Sequence, residues 1–237
     1  MSFLILVRHG QSTWNLENRF TGWVDVDLTK NGRLEAEKAG LLIKEKKIEI
    51  NFYYSSLLLR ANKTLEIIQN VLNDKKKFIK AWQLNERHYG SLTGLNKAEM
   101  AKKIGEDKVH EFRRSWDIKP HALEKDSSYH PVNINTYKEI PREVIPDTES
   151  LKDTYLRVLK YFEIEIKEKL LDKNILISAH GNSIRALCKY LFGIDNEQIS
   201  LLEIPTGNPL LIELGNDLKI LNCEYLDKVR AKDLLVF

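Results

Sequence analysis

The chain has 237 residues, 43% of them hydrophobic, and its 37 Lys and Arg nearly balance 34 Asp and Glu, leaving a net charge of +3. That is enough apolar material for a buried core, and too little basic excess to call for nucleic acid. No apolar stretch nears the ~18 residues of a membrane span.

The N-terminal run lacks the basic n-region and cleavage site of a signal peptide. The two cysteines, Cys188 and Cys223, form no CxxC pair and agree with a reduced compartment. The chain therefore reads as soluble and cytoplasmic, with no membrane partner.

Phe3 to Val7 is short and continuously apolar, the pattern of a buried strand. A helix is expected from Asn31 to Lys47, with Leu34, Leu41 and Leu42 on one side. Phe52 to Ser56 reads as a second strand. Ala61, Leu65, Ile68 and Leu72 then recur four, three and four apart as one helical stripe. The Lys75-Lys76-Lys77 run reads as a solvated helix end or loop. Leu151, Tyr155, Leu159, Phe162 and Ile166 mark a long amphipathic helix. Asn174 to Ser178 is another buried strand, and a helix runs on through Ile184, Leu187 and Leu191. Late strands are expected at Pro209–Leu214 and Leu218–Tyr225.

Strands alternating with helices predict an α/β three-layer sandwich, a mostly parallel central sheet flanked by helices. The stretch at about 116–146 holds Pro120, Pro131, Pro141 and Pro146 with little periodicity, and reads as an irregular insertion over one end of the sheet. No repeat or linker divides the chain, so residues 1–237 are read as a single catalytic domain.

Leu-Val-Arg8-His9-Gly10 and Ser-Ala-His180-Gly181-Asn182 each place a histidine and a glycine just after a buried strand. Ligands of open parallel sheets sit at the carboxyl ends of strands, so two histidines 171 positions apart (180 − 9) can converge there. A lone histidine is more often a core residue bonded to backbone; two in matching contexts argue for a site. Glycine after each lets the backbone turn and a ligand come close. Arg8, Arg60 at the head of the second helix, and the Arg113-Arg114 pair supply cations suited to phosphate or carboxylate oxygens, although paired arginines usually lie on a solvated face.

There is no GxxxxGK[ST] loop, no HExxH and no ligand-spaced His/Cys cluster, so neither a P-loop nor a metal is expected. What remains is a histidine able to attack phosphorus and carry it as phosphohistidine, with cations stabilising the transferring oxygens. The acid–base group it needs is sought in Glu86, although a glutamate beside an arginine is more often a surface ion pair.

Arg8-His9-Gly10 with a second His-Gly resembles the histidine phosphatase superfamily. Arg8 to Asn15, Asn18 to Trp23, Leu84 to Tyr89, Gly94 to Lys97, Ala179 to Ser183 and Ile204 to Gly207 resemble its cofactor-dependent phosphoglycerate mutases, from residue 3 to about 225. The resemblance implies interconversion of 3-phosphoglycerate and 2-phosphoglycerate, primed by 2,3-bisphosphoglycerate without a metal, in glycolysis and gluconeogenesis. It also implies a homo-oligomer, dimer or tetramer. It makes His9 the phosphorylated nucleophile, Glu86 the proton donor and acceptor, and His180 a stabiliser of the transition state. Arg8 and Arg60 would hold the phosphoryl group, with Asn15, Gly181 and Asn182 beside it. Tyr89, Lys97, Arg113 and Arg114 would grip the rest of the substrate, with Thr21, Gly22 and Ser12 approaching it through loop contacts.

Two stretches depart from the family pattern. Asp233-Leu234-Leu235-Val236-Phe237 is apolar where the family has a tail rich in Ala, Gly and Lys. Residues 126–138 lack its Pro-Gly-His pattern, so His130 is given no catalytic role. His88, His110 and His121 are read as structural or surface residues too. The alternatives are a phosphatase of the same superfamily acting on a small phosphomonoester, which has no need of Lys97, Arg113 and Arg114, and a non-catalytic phosphate-binding module, which has no need of His9 or Glu86.

Overall fold

The first hydrophobic run forms β1 (Ser2–Arg8), with Leu4, Ile5, Leu6 and Val7 all buried. A strand apolar on both faces has to be covered on both. The computed structural model, which describes residues 1–234, shows how. Leu235 to Phe237 of the apolar end lie outside the described residues.

The other strands are β2 (Phe52–Ser55), β3 (Ile79–Lys80), β4 (Ile175–Ala179), β5 (Leu210–Leu214) and β6 (Ile220–Tyr225), in the sheet order β3-β2-β4-β1-β5-β6. β1 to β4 pair in parallel, and β5 alone runs against its neighbours. The sheet is mostly parallel, as expected.

On one face lie α2 (Lys30–Glu45) and α3 (Leu59–Leu72), which bury Ala39, Ile43, Leu65 and Ile68 against Ile5, Val7 and Leu176. On the other lie α6 (Leu151–Tyr161), continued by a π turn over Phe162–Ile166, and α7 (Gly181–Phe192). These bury Leu151, Val158, Ile184 and Leu187 against Leu4, Leu6 and Ile177. Burial of such side chains stabilises by about 1.5–3 kcal/mol each.

Of the three leucines on one side of α2, only Leu42 packs against the core, half-buried. Leu34 and Leu41 are each 54% exposed, and Gly32, Ala36, Ala39, Gly40 and Ile43 are buried instead. The reason is close packing on α3: a Cβ on Gly40 would lie 2.8 Å from Cβ of Val71. Only small residues permit that approach, so size outweighs hydrophobicity on this face.

Three helices lay outside the sequence expectation: α1 (Thr13–Leu16), α4 (Lys97–Ile104) and α5 (Glu106–Arg114). α4 has no fully buried residue and α5 only Val109; Met100, Ala101 and Phe112 pack half-buried against Phe20 and Leu92, a short and weak apolar signal.

Within residues 116–146 the regular structure is three single 3-10 turns, at Pro131–Asn133, Asn135–Tyr137 and Arg142–Val144. Tyr137, Ile140 and Ile145 from this stretch bury with Trp23 and Leu58. Tyr129 meets Trp14 edge-on at 5.5 Å. Among the described residues no helix is long and apolar enough to cross a membrane.

Candidate active site

In the β1–β4 ladder Arg8 stands opposite Ala179, and the His9 N–H donates to the Ala179 carbonyl at 3.0 Å. The two strands therefore end side by side, and the next residue of each is a histidine. The rings of His9 and His180 lie with centroids 5.0 Å apart, tilted by 60°. Parallel register is what closes the sequence gap between them.

The tautomer of His9 follows from its partners. Its Nδ1 lies 2.7 Å from the Gly10 carbonyl, which can only accept, so Nδ1 carries the proton. Arg60 Nε–H, which can only donate, points at Nε2 from 3.3 Å. Nε2 therefore presents a lone pair. Burial, then Arg60 and Arg8, hold the His9 pKa well below 6.5 despite the opposing Gly10 bond, so the ring is neutral. His180, with Nε2 2.7 Å from Ser56 Oγ, is also depressed well below 6.5, by burial and then by Arg60, His9 and Arg8.

Arg60, on the first turn of α3, is 1% exposed, and donates to the Val24 and Gly22 carbonyls at 2.9 and 2.8 Å. Arg8 donates through one terminal nitrogen to the Ile204 carbonyl at 2.7 Å, and its buried Nε has no protein partner. An orphaned charged donor facing its neighbours' positive field fits an incoming anion.

Glu86 is buried in the loop after the 3-10 turn Trp82–Leu84. Its Oε1 accepts from Arg87 N at 2.8 Å, Asn182 N at 3.1 Å and Asn182 Nδ2 at 2.8 Å. Burial pushes its pKa up, but these bonds together with Arg8 and Arg60 outweigh it, and the net shift is down. Glu86 is thus held as an ionised carboxylate despite its burial.

These groups open onto a cleft of about 90 Å3. Its wall holds Arg8, Arg19, Arg60, Lys97, Arg113, Arg114 and Arg185 against a single carboxylate, Glu86, with His9, Asn15, Thr21, Gly22, Tyr89, Gly181 and Asn182 between them. Seven cations facing one anion repel one another; the Arg185 pKa is lowered to about 9, by burial and then by Arg114. Such a site favours a small polyanion.

Of the residues expected from the sequence, Ser12 and His180 do not line the cleft. Ser12 caps α1, its Oγ accepting from Asn15 N at 3.2 Å, and so places Asn15. His180 is fully buried beside His9. Sequence reasoning missed Arg19, Arg185 and the fully buried Arg87, whose guanidinium lies 4.8 Å over the Tyr89 ring. Each sits within or one turn beyond a quoted motif. Position in those motifs was the available signal.

The glycines divide. Gly10 is small for packing rather than for ligand: a Cβ there would run into the Gly32 backbone. A Cβ on Gly181 would stand 3.7 Å from Arg8 Nε and Glu86 Oε2, so its absence leaves room between them.

His88 is fully buried, its Nδ1 accepting from Gly90 N at 3.0 Å, and His130 bonds Asp147 at 2.9 Å. His110 and His121 are exposed. No group of His, Cys, Asp and Glu among the described residues is arranged to hold a metal.

Comparison with known proteins gives the class. A family model of the histidine phosphatase superfamily (branch 1) matches residues 4–132 and 123–222. A 2,3-bisphosphoglycerate-dependent phosphoglycerate mutase of Pelagibacter ubique is 68% identical over 238 residues, covering 100% of both chains. One of the same description from Staphylococcus saprophyticus is 48% identical, covering 95% of this chain and 100% of its own. Among solved structures, a mycobacterial glucosyl-3-phosphoglycerate phosphatase shares the fold with a TM-score of 0.71 at 20% identity, covering 95% of this chain and 98% of its own. The chain belongs to the histidine phosphatase superfamily and, within it, to the 2,3-bisphosphoglycerate-dependent phosphoglycerate mutases.

Proposed function

We propose that this protein interconverts 3-phosphoglycerate and 2-phosphoglycerate through a phosphohistidine on His9, primed by 2,3-bisphosphoglycerate, as a single catalytic domain of the cytoplasm. The observation that carries this reading is the tautomer of His9. Gly10 and Arg60 leave a lone pair on Nε2, inside a cleft whose cations suit a doubly phosphorylated anion. The relatives matched over 95–100% of this chain carry this activity in their names.

The bisphosphate supplies the phosphoryl group that His9 must carry before turnover. The rest falls to the chain's own residues. Nε2 attacks phosphorus while Arg8 and Arg60 meet the charge on the equatorial oxygens. Glu86 takes the proton of the attacking substrate hydroxyl and returns it to the leaving oxygen. Arg113, Arg114 and Lys97 grip the remaining anionic groups, keeping the substrate near His9 between its two transfers.

The test is conversion of 3-phosphoglycerate to 2-phosphoglycerate in excess EDTA, with and without catalytic 2,3-bisphosphoglycerate. Rapid conversion stimulated by the bisphosphate is expected. Release of inorganic phosphate with little isomerisation would instead make the same site a phosphatase.

A further inference from the structure

Asn182 was expected beside the substrate, but its amide is already engaged. Oδ1 accepts from a terminal nitrogen of Arg185 at 2.6 Å, while Nδ2 donates to Glu86 Oε1 at 2.8 Å and to Tyr89 Oη at 3.1 Å. Its orientation is forced. A guanidinium can only donate and an ionised carboxylate can only accept, so the reversed amide would oppose like groups at both ends. Arg185 is 5% exposed and is itself fixed by donating from Nε to the Leu202 carbonyl at 3.0 Å.

The result is an unequal carboxylate. Oε1 of Glu86 accepts three N–H bonds. Oε2 accepts none of them; it and Arg8 Nε each lie 3.7 Å from where a Cβ on Gly181 would stand, and all three residues line the cleft.

We propose that Arg185 is a positioning residue which, by orienting the Asn182 amide, saturates Glu86 Oε1 and leaves Oε2 as the oxygen that exchanges the substrate proton. This rests on the phosphoryl-transfer reading above. As the substrate hydroxyl oxygen forms its bond to phosphorus, its O–H bond breaks and the proton passes to Oε2. The bond from phosphorus to His9 Nε2 breaks at the same time, leaving its electron pair on Nε2. The reverse step returns the proton from Oε2 to the leaving oxygen. The Asn182 bond also holds the Glu86 carboxyl in its ionised form, the form that accepts the proton.

The experiment is a carbon-13 carboxyl titration of Glu86 in the ligand-free protein, paired with kcat and KM against pH. It compares wild type, Arg185→Met, Asn182→Ala and the double variant. Both single variants should move the titration to higher pH, and the double should move it no further than Asn182→Ala alone. In both, kcat should fall roughly 10–100-fold with KM little changed. Arg185→Lys, which keeps a charged donor, should restore part of the loss, and it carries the comparison if Arg185→Met does not fold.

The proposal is overturned if Arg185→Met leaves the Glu86 titration in place and raises KM, which would make Arg185 a direct substrate clamp. It is also overturned if the double variant shifts further than Asn182→Ala, since Arg185 would then act by charge alone. A wild-type protein that fails to isomerise phosphoglycerate would strike the mutase reading and leave the ligand-free titration interpretable.

Discussion

Arg157 and Glu149 form a two-pronged ion pair inside the protein, Nε to Oε1 at 2.6 Å and a terminal nitrogen to Oε2 at 2.9 Å. The other Arg157 donors go to the carbonyls of Gln83, Asn85 and Glu86 at 2.6, 3.1 and 3.0 Å. Glu149 grips His88, two residues beyond Glu86, from both sides: Oε2 accepts from His88 N at 2.8 Å, and its own N–H donates to the His88 carbonyl at 2.9 Å. The backbone that carries Glu86 is thus held from behind by a pair that does not line the cleft. Arg157→Met should cost about 3–5 kcal/mol, the usual penalty for stranding one buried charge, as read by denaturant unfolding. Loss of less than 1 kcal/mol would show the pair to be dispensable.

Three buried histidines should make the fold sensitive to acid. His9 and His180 are depressed well below 6.5, and His88 to about 3, chiefly by burial. Below pH 6.5 the unfolded chain binds protons that the native state refuses, so stability falls as pH drops from 6.5 toward 3. His88→Asn should flatten that slope in thermal melts between pH 7 and 4. An unchanged slope would assign the acid loss to other groups.

Gly22 sits at φ +55, and a Cβ there would come 3.3 Å from Arg87 O and Tyr89 N. Its carbonyl also anchors Arg60. Gly22→Ala should therefore cost about 1–2 kcal/mol of stability. It should also slow phosphorylation of His9, measured by rapid quench with 2,3-bisphosphoglycerate. A normal phosphorylation rate would mean that Arg60 does not depend on this loop.

Arg113 and Arg114 close α5 at the cleft wall, and Arg114 is tethered to the Leu202 carbonyl at 3.3 Å and Glu203 at 3.2 Å. Remote from His9 in role, they should contribute alike to ground and transition states. Arg113→Ala is expected to raise KM for 3-phosphoglycerate roughly 10–100-fold, the loss of one charge-assisted bond, with kcat largely kept. A fall in kcat at constant KM would place Arg113 in the transfer step instead.

The sequence was most legible where a physical pattern was dense. Phe3–Val7 and Asn174–Ser178 are too apolar and too short to be anything but buried strands, and the shared register of their ends is what makes His9 and His180 meet. It was least legible where contacts are long-range. Leu34 and Leu41 look like an inner stripe until Val71 crowds Gly40 and turns the small residues inward. Arg185 has the look of any arginine on an amphipathic helix. Its tie to Glu86 runs through Asn182, on the same helix, to a loop 96 residues away in sequence. α4 and α5 carry cleft residues with only a short and weak apolar signal to announce them.

The proposed mechanism rests on His9 Nε2 carrying the phosphoryl group. Incubation with labelled 2,3-bisphosphoglycerate, followed by neutral-pH peptide mass spectrometry, tests it most directly. One acid-labile phosphate is expected on the peptide holding His9, discharged on adding 3-phosphoglycerate, and none in His9→Gln. Label on another residue, or full isomerisation by His9→Gln, would contradict it.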